Sequence, residues 1–235
     1  GIMVNNTATA EKPTLGFPPG DHALSMVYDG IERTYVLHIP PGLDEAQPVP
    51  LVLAFHGLGL NASEMMRITG FNAQADSSGF IIVYPEGTGE TRSWNGGHCC
   101  GTAARDRVDD AGFVRALIAE LSATLPIDPR HVHATGFSNG SIFTYRLACE
   151  LSDVIASIGP VSATPAEEDM RTCNPSRPVP IMHYHGTADD PNPYNGGKAP
   201  AGFLFMSVAE TTNWWIEFNN CPAAPQTTES GSIKH

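Results

Sequence analysis

Basic side chains are scarce in this chain: 13 Lys and Arg stand against 25 Asp and Glu, giving a net charge of −12, and charged residues make up only 16% of 235. Binding to phosphate backbones needs concentrated Lys and Arg, so the balance excludes nucleic acid as a partner and leaves no basic face for an anionic membrane. Long apolar runs are missing too. None approaches the roughly 20 residues of a membrane-spanning helix, and Gly1-Ile2-Met3-Val4 lacks the charged and apolar regions of a signal peptide. Metal-site spacing is absent from the five cysteines, at 99, 100, 149, 173 and 221, because the adjacent pair has no intervening chelate loop. Disulfides in a secreted or periplasmic protein fit these cysteines better, with one thiol left over. There is no internal repeat, low-complexity tract or convincing linker.

What is present is a 41% hydrophobic chain with 23 Gly and 20 Pro, long enough for one large core whose elements are joined by shaped turns. Residues 1–20 are polar and Pro/Gly-rich and read as a loose arm, and residues 21–235 read as one domain. Glu32–Pro40 predicts an early strand, open to antiparallel pairing. Pro50–Phe55 and Phe80–Pro85 are short continuous apolar runs, as in strands buried on both faces. A polar helical stretch covers about 62–77. Asp109 or Asp110 can cap a helix through Phe113, Leu117, Ile118 and Leu121. Strands follow at 131–135, 155–158 and 180–185, with helices at 141–148 and 208–218. Strands and helices alternate from residue 50 onward, which implies an α/β fold with a mostly parallel sheet, helices on both faces and a site at the C-terminal strand ends.

Gly136-Phe137-Ser138-Asn139-Gly140 is a G-x-S-x-G pattern between an alternating strand and a helix. Such a turn strains the serine backbone, and side chains at 136 and 140 would collide with neighbouring elements. The helix start aims N–H groups at a developing oxyanion. Ser138 is therefore the candidate nucleophile and the Asn139 N–H an oxyanion donor. His56-Gly57-Leu58-Gly59 ends an earlier strand, and Leu58 is the second donor, with Gly59 as the alternative. Partners follow such a serine in the order acid, then histidine, which selects Asp189 over Asp190 after the 180–185 strand. The histidine is the difficulty. Only His235 follows Asp189, at the last position, and His98 is a weak substitute. The pairs His131/His133 and His183/His185 share strand faces but lack a third ligand, so they read as core histidines, and neither a metal nor a cofactor is required. Trp214 and Trp215 read as core. Trp94 stands in a Gly- and Cys-rich loop and is a candidate to line a pocket for an aromatic or sugar group.

From about residue 26 to 221 the chain resembles the polyhydroxybutyrate depolymerase and feruloyl/acetylxylan esterase group, a secreted branch of the α/β-hydrolases. The motifs that carry the resemblance include Asp29-Gly30-Ile31-Glu32-Arg33-Thr34-Tyr35, His56-Gly57, Tyr84-Pro85-Glu86-Gly87, Ser93-Trp94-Asn95 and Cys99-Cys100-Gly101. Val108-Asp109-Asp110-Ala111-Gly112-Phe113, Gly136–Gly140 and His185-Gly186-Thr187-Ala188-Asp189 through Gly197 continue it. The resemblance implies Ser138 as nucleophile, Asp189 as triad acid, and Tyr194 with its following loop at the pocket. It implies hydrolysis of carboxylic esters through an acyl-enzyme, on feruloyl, acetyl or polyhydroxyalkanoate-type substrates. Two departures stand out. Ser141 follows Gly140 where the group commonly has a second glycine, and the group's Gly-His-x-Trp-Pro-Gly histidine segment has no counterpart. By the resemblance the chain stops before its last strand and helix, and Cys221 would pair with a cysteine further on. The rival expectation is a binding protein on the hydrolase scaffold that lacks a general base.

Overall fold

Alternation along Ile31–Ile39 (β2) turns Arg33, Tyr35, Leu37 and Ile39 to one buried face. The computed structural model describes residues 16–44, 46–199, 202–222 and 226–234. β2 pairs antiparallel along its whole length with Gly20–Tyr28 (β1), from Gly20 opposite Ile39 to Tyr28 opposite Ile31. Asp29 and Gly30 close this hairpin, both with positive φ (50° and 74°), as a two-residue turn matched to strand twist requires. The strand of the expected arm's last residue thus begins at Gly20, and residues 1–15 of that arm lie outside the described residues.

The sheet continues through Val49–Phe55 (β3), Ile81–Pro85 (β4), Ile127–Phe137 (β5) and Ser157–Val161 (β6), in the order β1-β2-β4-β3-β5-β6. β2 meets β4 antiparallel, and the remaining contacts β4–β3, β3–β5 and β5–β6 are parallel. The 180–185 segment runs parallel beside β6 through bridges from Ile158 to Ile181 and from Val161 to Tyr184. Its outward residues Met182 and Tyr184 are exposed. The expected strand at 155–158 lies two to three residues later, because Ile155 closes the preceding turn by donating to Leu151 O.

Helices cover both faces, as the alternation of elements implies. Ala62–Thr69 (α1) and Phe71–Ser78 (α2) pack Ala62, Met65 and Ala75 against Ala54, Ile82 and Tyr84. These are two helices where one stretch is expected, since Gly70 adopts φ 60° and terminates the first. On the opposite face, Asp110–Thr124 (α4) and Asn139–Glu150 (α5) bury Phe113, Leu117, Phe143 and Leu147 against Leu51, Leu53 and Val132. Val208–Phe218 (α7) seats Trp215 in the same cluster. Gly101–Arg105 (α3), Glu167–Met170 (α6) and a small hairpin of Gly197–Lys198 (β7) with Leu204–Phe205 (β8) lie in the connections. No helix among the described residues is long and apolar enough to cross a membrane.

The buried face holds one full ion pair. Arg33 Nη2 donates to Asp110 Oδ1 at 2.7 Å with both side chains almost wholly covered, and its guanidinium lies 3.9 Å over the Phe113 ring. Asp109 is the helix cap, accepting from Gly112 N, so Asp110 is free for this second task. Burial disfavours both charged forms and the pairing opposes it. Asp110 Oδ2 also accepts from Asn95 N at 2.8 Å, which ties the 93–100 loop to the core. Asp110→Ala strands a buried guanidinium and is expected to destabilise the fold by about 3–5 kcal/mol in urea unfolding; a loss under about 1 kcal/mol would contradict this account of the pair.

Candidate active site

Ser138 sits between the last residue of β5 and the first of α5, at φ 55° and ψ −116°. A non-glycine residue held there costs about 1–3 kcal/mol, so the surroundings must enforce it. They do so from both sides. Ser138 N donates to Val161 O at 2.9 Å, and Ser138 O accepts from Ile142 N at 3.1 Å. A Cβ on Gly136 would overlap the Gly140 carbonyl, and one on Gly140 would overlap the carbonyls of Phe55 and His56. Strand, turn and helix therefore approach at backbone contact. Ser141, the departure from the usual second glycine, is buried and donates Oγ–H to Ala163 O at 2.7 Å, so its hydroxyl is satisfied without disturbing the turn.

The loop after β3 is fixed by His56. This ring is fully buried, and burial holds it below the ordinary imidazole range, so it is neutral. Its Nε2 accepts from Gly87 N at 2.9 Å, which leaves the proton on Nδ1 to donate to Gly57 O at 2.7 Å. Because the peptide is planar, anchoring the Gly57 carbonyl fixes the Leu58 N–H on the opposite side. Gly57 itself abuts Phe137 and Ser138. Gly59, the alternative donor, already spends its N–H on Arg92 O at 2.8 Å. The loop thus presents Leu58 beside Ser138 and Asn139, and all three line one cavity.

Asn139 is buried, and its side chain clamps the Trp94 backbone, accepting from Trp94 N at 2.8 Å and donating to Trp94 O at 3.0 Å. Trp94 does not line the cavity. It is wholly buried, stacked on Phe143 at 5.2 Å and edge-on to Phe55, with Nε1 donating to His56 O at 3.1 Å. The expectation of a pocket residue is corrected on that ground: Trp94 is the packing block under the His56–Gly59 loop. Tyr194 likewise does not line the cavity and packs edge-on against His185 at 5.7 Å. The loop after Tyr194 does border the cavity, through Ala199, Phe203 and Phe205. With Ile142 they give the roughly 610 Å³ space its apolar wall.

Asp189 follows the 180–185 segment as the chain order requires. Its Oδ1 accepts from Asn192 N at 3.1 Å, and its Oδ2 accepts from the Ser162 hydroxyl. Ser162 follows β6 with φ 60°, one residue past the Val161 carbonyl that holds Ser138 N. This serine ties Asp189 to the end of β6 beside Ser138, and sequence reasoning missed it because it placed the strand too early. Among the described residues no histidine is hydrogen-bonded to Ser138, and His235 lies outside them. His98 shares the cavity wall but pairs its Nδ1 with Asp169 at 2.7 Å, a bond that raises its basicity.

A family model described as "Esterase PHB depolymerase" matches residues 33–183. The chain belongs to that family. Among curated relatives, a putative esterase NocK from Nocardia uniformis subsp. tsuyamanensis is 37% identical over 76% of this chain and 52% of its own length. Feruloyl esterase B from Piromyces equi is 29% identical over 85% of the chain and 38% of its own. The chain spans about half or less of the length of these relatives. A crystallised thermostable esterase superposes with a TM-score of 0.61 at 16% identity, covering 85% of this chain and 51% of that one. That likeness establishes the α/β-hydrolase fold expected from the sequence.

Within this esterase-family scaffold the paired histidines have polar partners. His131 Nδ1 lies 2.9 Å from Asp128 Oδ2 and His133 Nδ1 lies 2.8 Å from Ser157 Oγ. His183 and His185 contact each other at 3.0 Å. Among the described residues no group of three His, Cys, Asp or Glu is arranged to hold a metal ion. Cys149 and Cys173 form a disulfide that ties α5 to the segment after α6, Cys99 and Cys100 are neighbours in the loop before α3, and Cys221 is an exposed thiol without a partner among the described residues.

Two outcomes follow from this packing. Gly140→Ala is expected to lower unfolding free energy by about 2 kcal/mol or more, since the added methyl meets backbone that cannot move aside; a fully stable variant in urea would contradict the close approach. Burial, then the neighbouring His185, lowers His183 from 6.5 to about 4. A ring held neutral contributes stability that is complete above the unfolded value of 6.5 and lost as pH falls towards 4. Wild type should lose about 2–3 kcal/mol from this group between pH 7.5 and 4.5, and His183→Gln should lose correspondingly less; identical pH profiles would contradict it.

Proposed function

We propose that this chain carries the catalytic core of a secreted serine esterase that hydrolyses carboxylic esters through an acyl-enzyme on Ser138. The observation that carries the reading is the strained Ser138 turn, set beside Gly57 with Leu58 and Asn139 lining the same cavity. Ser138 Oγ would attack the ester carbonyl, the two N–H groups would stabilise the tetrahedral oxyanion, and Asp189 would orient the histidine that moves the proton. No cofactor enters this sequence of steps.

The substrate reading follows from the cavity wall. Phe203 and Phe205 meet edge-to-face at 4.8 Å beside Ile142 and Ala199, and about 610 Å³ accommodates more than an acetyl group. This favours an aromatic acyl group such as feruloyl on plant polysaccharide, consistent with the name of the Piromyces relative. A relative from Paucimonas lemoignei, 28% identical over 54% of the chain, is named a poly(3-hydroxyalkanoate) depolymerase and keeps polyesters as the second substrate class.

Turnover of p-nitrophenyl acetate and of methyl ferulate, each beside Ser138→Ala, tests both parts. Wild type should exceed Ser138→Ala by about a hundredfold or more on either ester, with kcat/KM higher for the ferulate. Equal background rates would identify a binding protein on the hydrolase scaffold instead.

A further inference from the structure

One buried and two half-buried polar rings behind the site, Tyr145, His183 and His185, have no part in the steps above. Tyr145 OH lies 2.9 Å from His183 Nδ1, His183 Nε2 lies 3.0 Å from His185 Nδ1, and His185 Nε2 lies 2.7 Å from the Asn192 carbonyl oxygen. The donor and acceptor roles along this chain are determined from one end. A carbonyl only accepts, so His185 carries its proton on Nε2 and its Nδ1 is a bare acceptor. His183 must then donate from Nε2, which leaves its own Nδ1 to accept from the Tyr145 hydroxyl. Burial favours the same assignment, since it pushes the Tyr145 phenol up and the His183 imidazole down, keeping both neutral near pH 7.

The two ends of this chain are informative. Tyr145 stands on α5, seven residues and about two turns beyond Ser138. Asn192 closes the turn whose N–H donates to Asp189 Oδ1. His185 Nε2 is 3.7 Å from Asp189 Oδ2, outside hydrogen-bond range, so its proton goes to the carbonyl and leaves the carboxylate free for another partner. Both nitrogens of His185 are thereby engaged, which excludes it as the base for Ser138. A fully satisfied polar network of this kind rigidifies the elements it joins, which apolar side chains of the same volume would not do.

We propose that Tyr145, His183 and His185 form a directional hydrogen-bond relay that positions the Asp189–Asn192 turn relative to the nucleophile helix. They are positioning residues, since none touches the cavity that holds Ser138. The relay rests on the reading of Ser138 and Asp189 as nucleophile and acid. Its function is to make the placement of the acid depend on the same helix that carries the serine, so that the two cannot shift independently.

Nitrogen-15 spectra of histidine-labelled protein at pH 7.5, assigned with His183→Gln and His185→Gln, test the direction. Both rings should be in the Nε2–H form, and an Nδ1–H or doubly protonated ring at either position would overturn the relay. Tyr145→Phe removes one hydroxyl and tests the positioning. Amide exchange at Asn192 should speed up by about tenfold while β3 and β5 amides keep their protection, and kcat on p-nitrophenyl acetate should fall by about tenfold with KM unchanged. Unchanged Asn192 protection, or an unchanged kcat in an active enzyme, would overturn it. If wild type turns over no faster than Ser138→Ala, the esterase reading fails separately, and the spectra and exchange still decide the relay.

Discussion

The backbone of Ser138 is the constraint on which the rest of the site depends. A residue at φ 55° relaxes unless neighbours prevent it, and here β6 holds its N–H while α5 holds its carbonyl. The glycines at 136 and 140 let β3, β5 and α5 approach until backbone touches backbone. Relaxing the serine would therefore require separating the central strands from the helix. The same approach brings the His56–Gly59 loop against the serine, so Ser138 and the proposed oxyanion donors are set by one packing event.

A buried polar network extends that constraint across the sheet. Arg33 on β2 pairs with Asp110, Asp110 holds Asn95 N, and Asn139 clamps Trp94 from the other side. Trp94 in turn holds the His56 carbonyl. A strand three positions from β5 in the sheet thus stabilises the loop beside Ser138, through groups that leave unpaired buried charge or amide if any member is removed. On the opposite flank Ser162 and Asn192 fix both oxygens of Asp189. The carboxylate of the proposed acid is thus held on both oxygens.

Much of this was legible in the chain. The central strands declared themselves as short apolar runs, and the G-x-S-x-G turn by its flanking strand and helix. Chain order selects Asp189 as the candidate acid, and the structure sets its carboxylate against Ser162 and Asn192. The misses share a physical cause. Arg33 reads as a surface charge in a β-rich segment until alternation is counted against its partner strand, and its partner Asp110 adjoins an ordinary cap. β1 was overlooked although Asp29-Gly30 is a strong hairpin signal, because its half-polar alternation suits an edge strand with one face towards solvent. Trp94 was assigned to the pocket from loop composition, whereas contacts with Phe55, Phe143 and His56 bury it completely. Phe203 and Phe205, which do form the wall, lie in a short hairpin with no periodicity to read. Long-range partners of polar residues cannot be inferred from local pattern alone.

Peptide mapping after reaction with a small fluorophosphonate tests the central claim most directly, because a phosphonyl group is captured only by a serine that is both exposed to the cavity and activated. The account predicts a single adduct on Ser138, lost in Ser138→Ala and slowed in Gly140→Ala, where the turn is forced open. An adduct on Ser141, Ser162 or any other serine, with Ser138 unmodified, would contradict it.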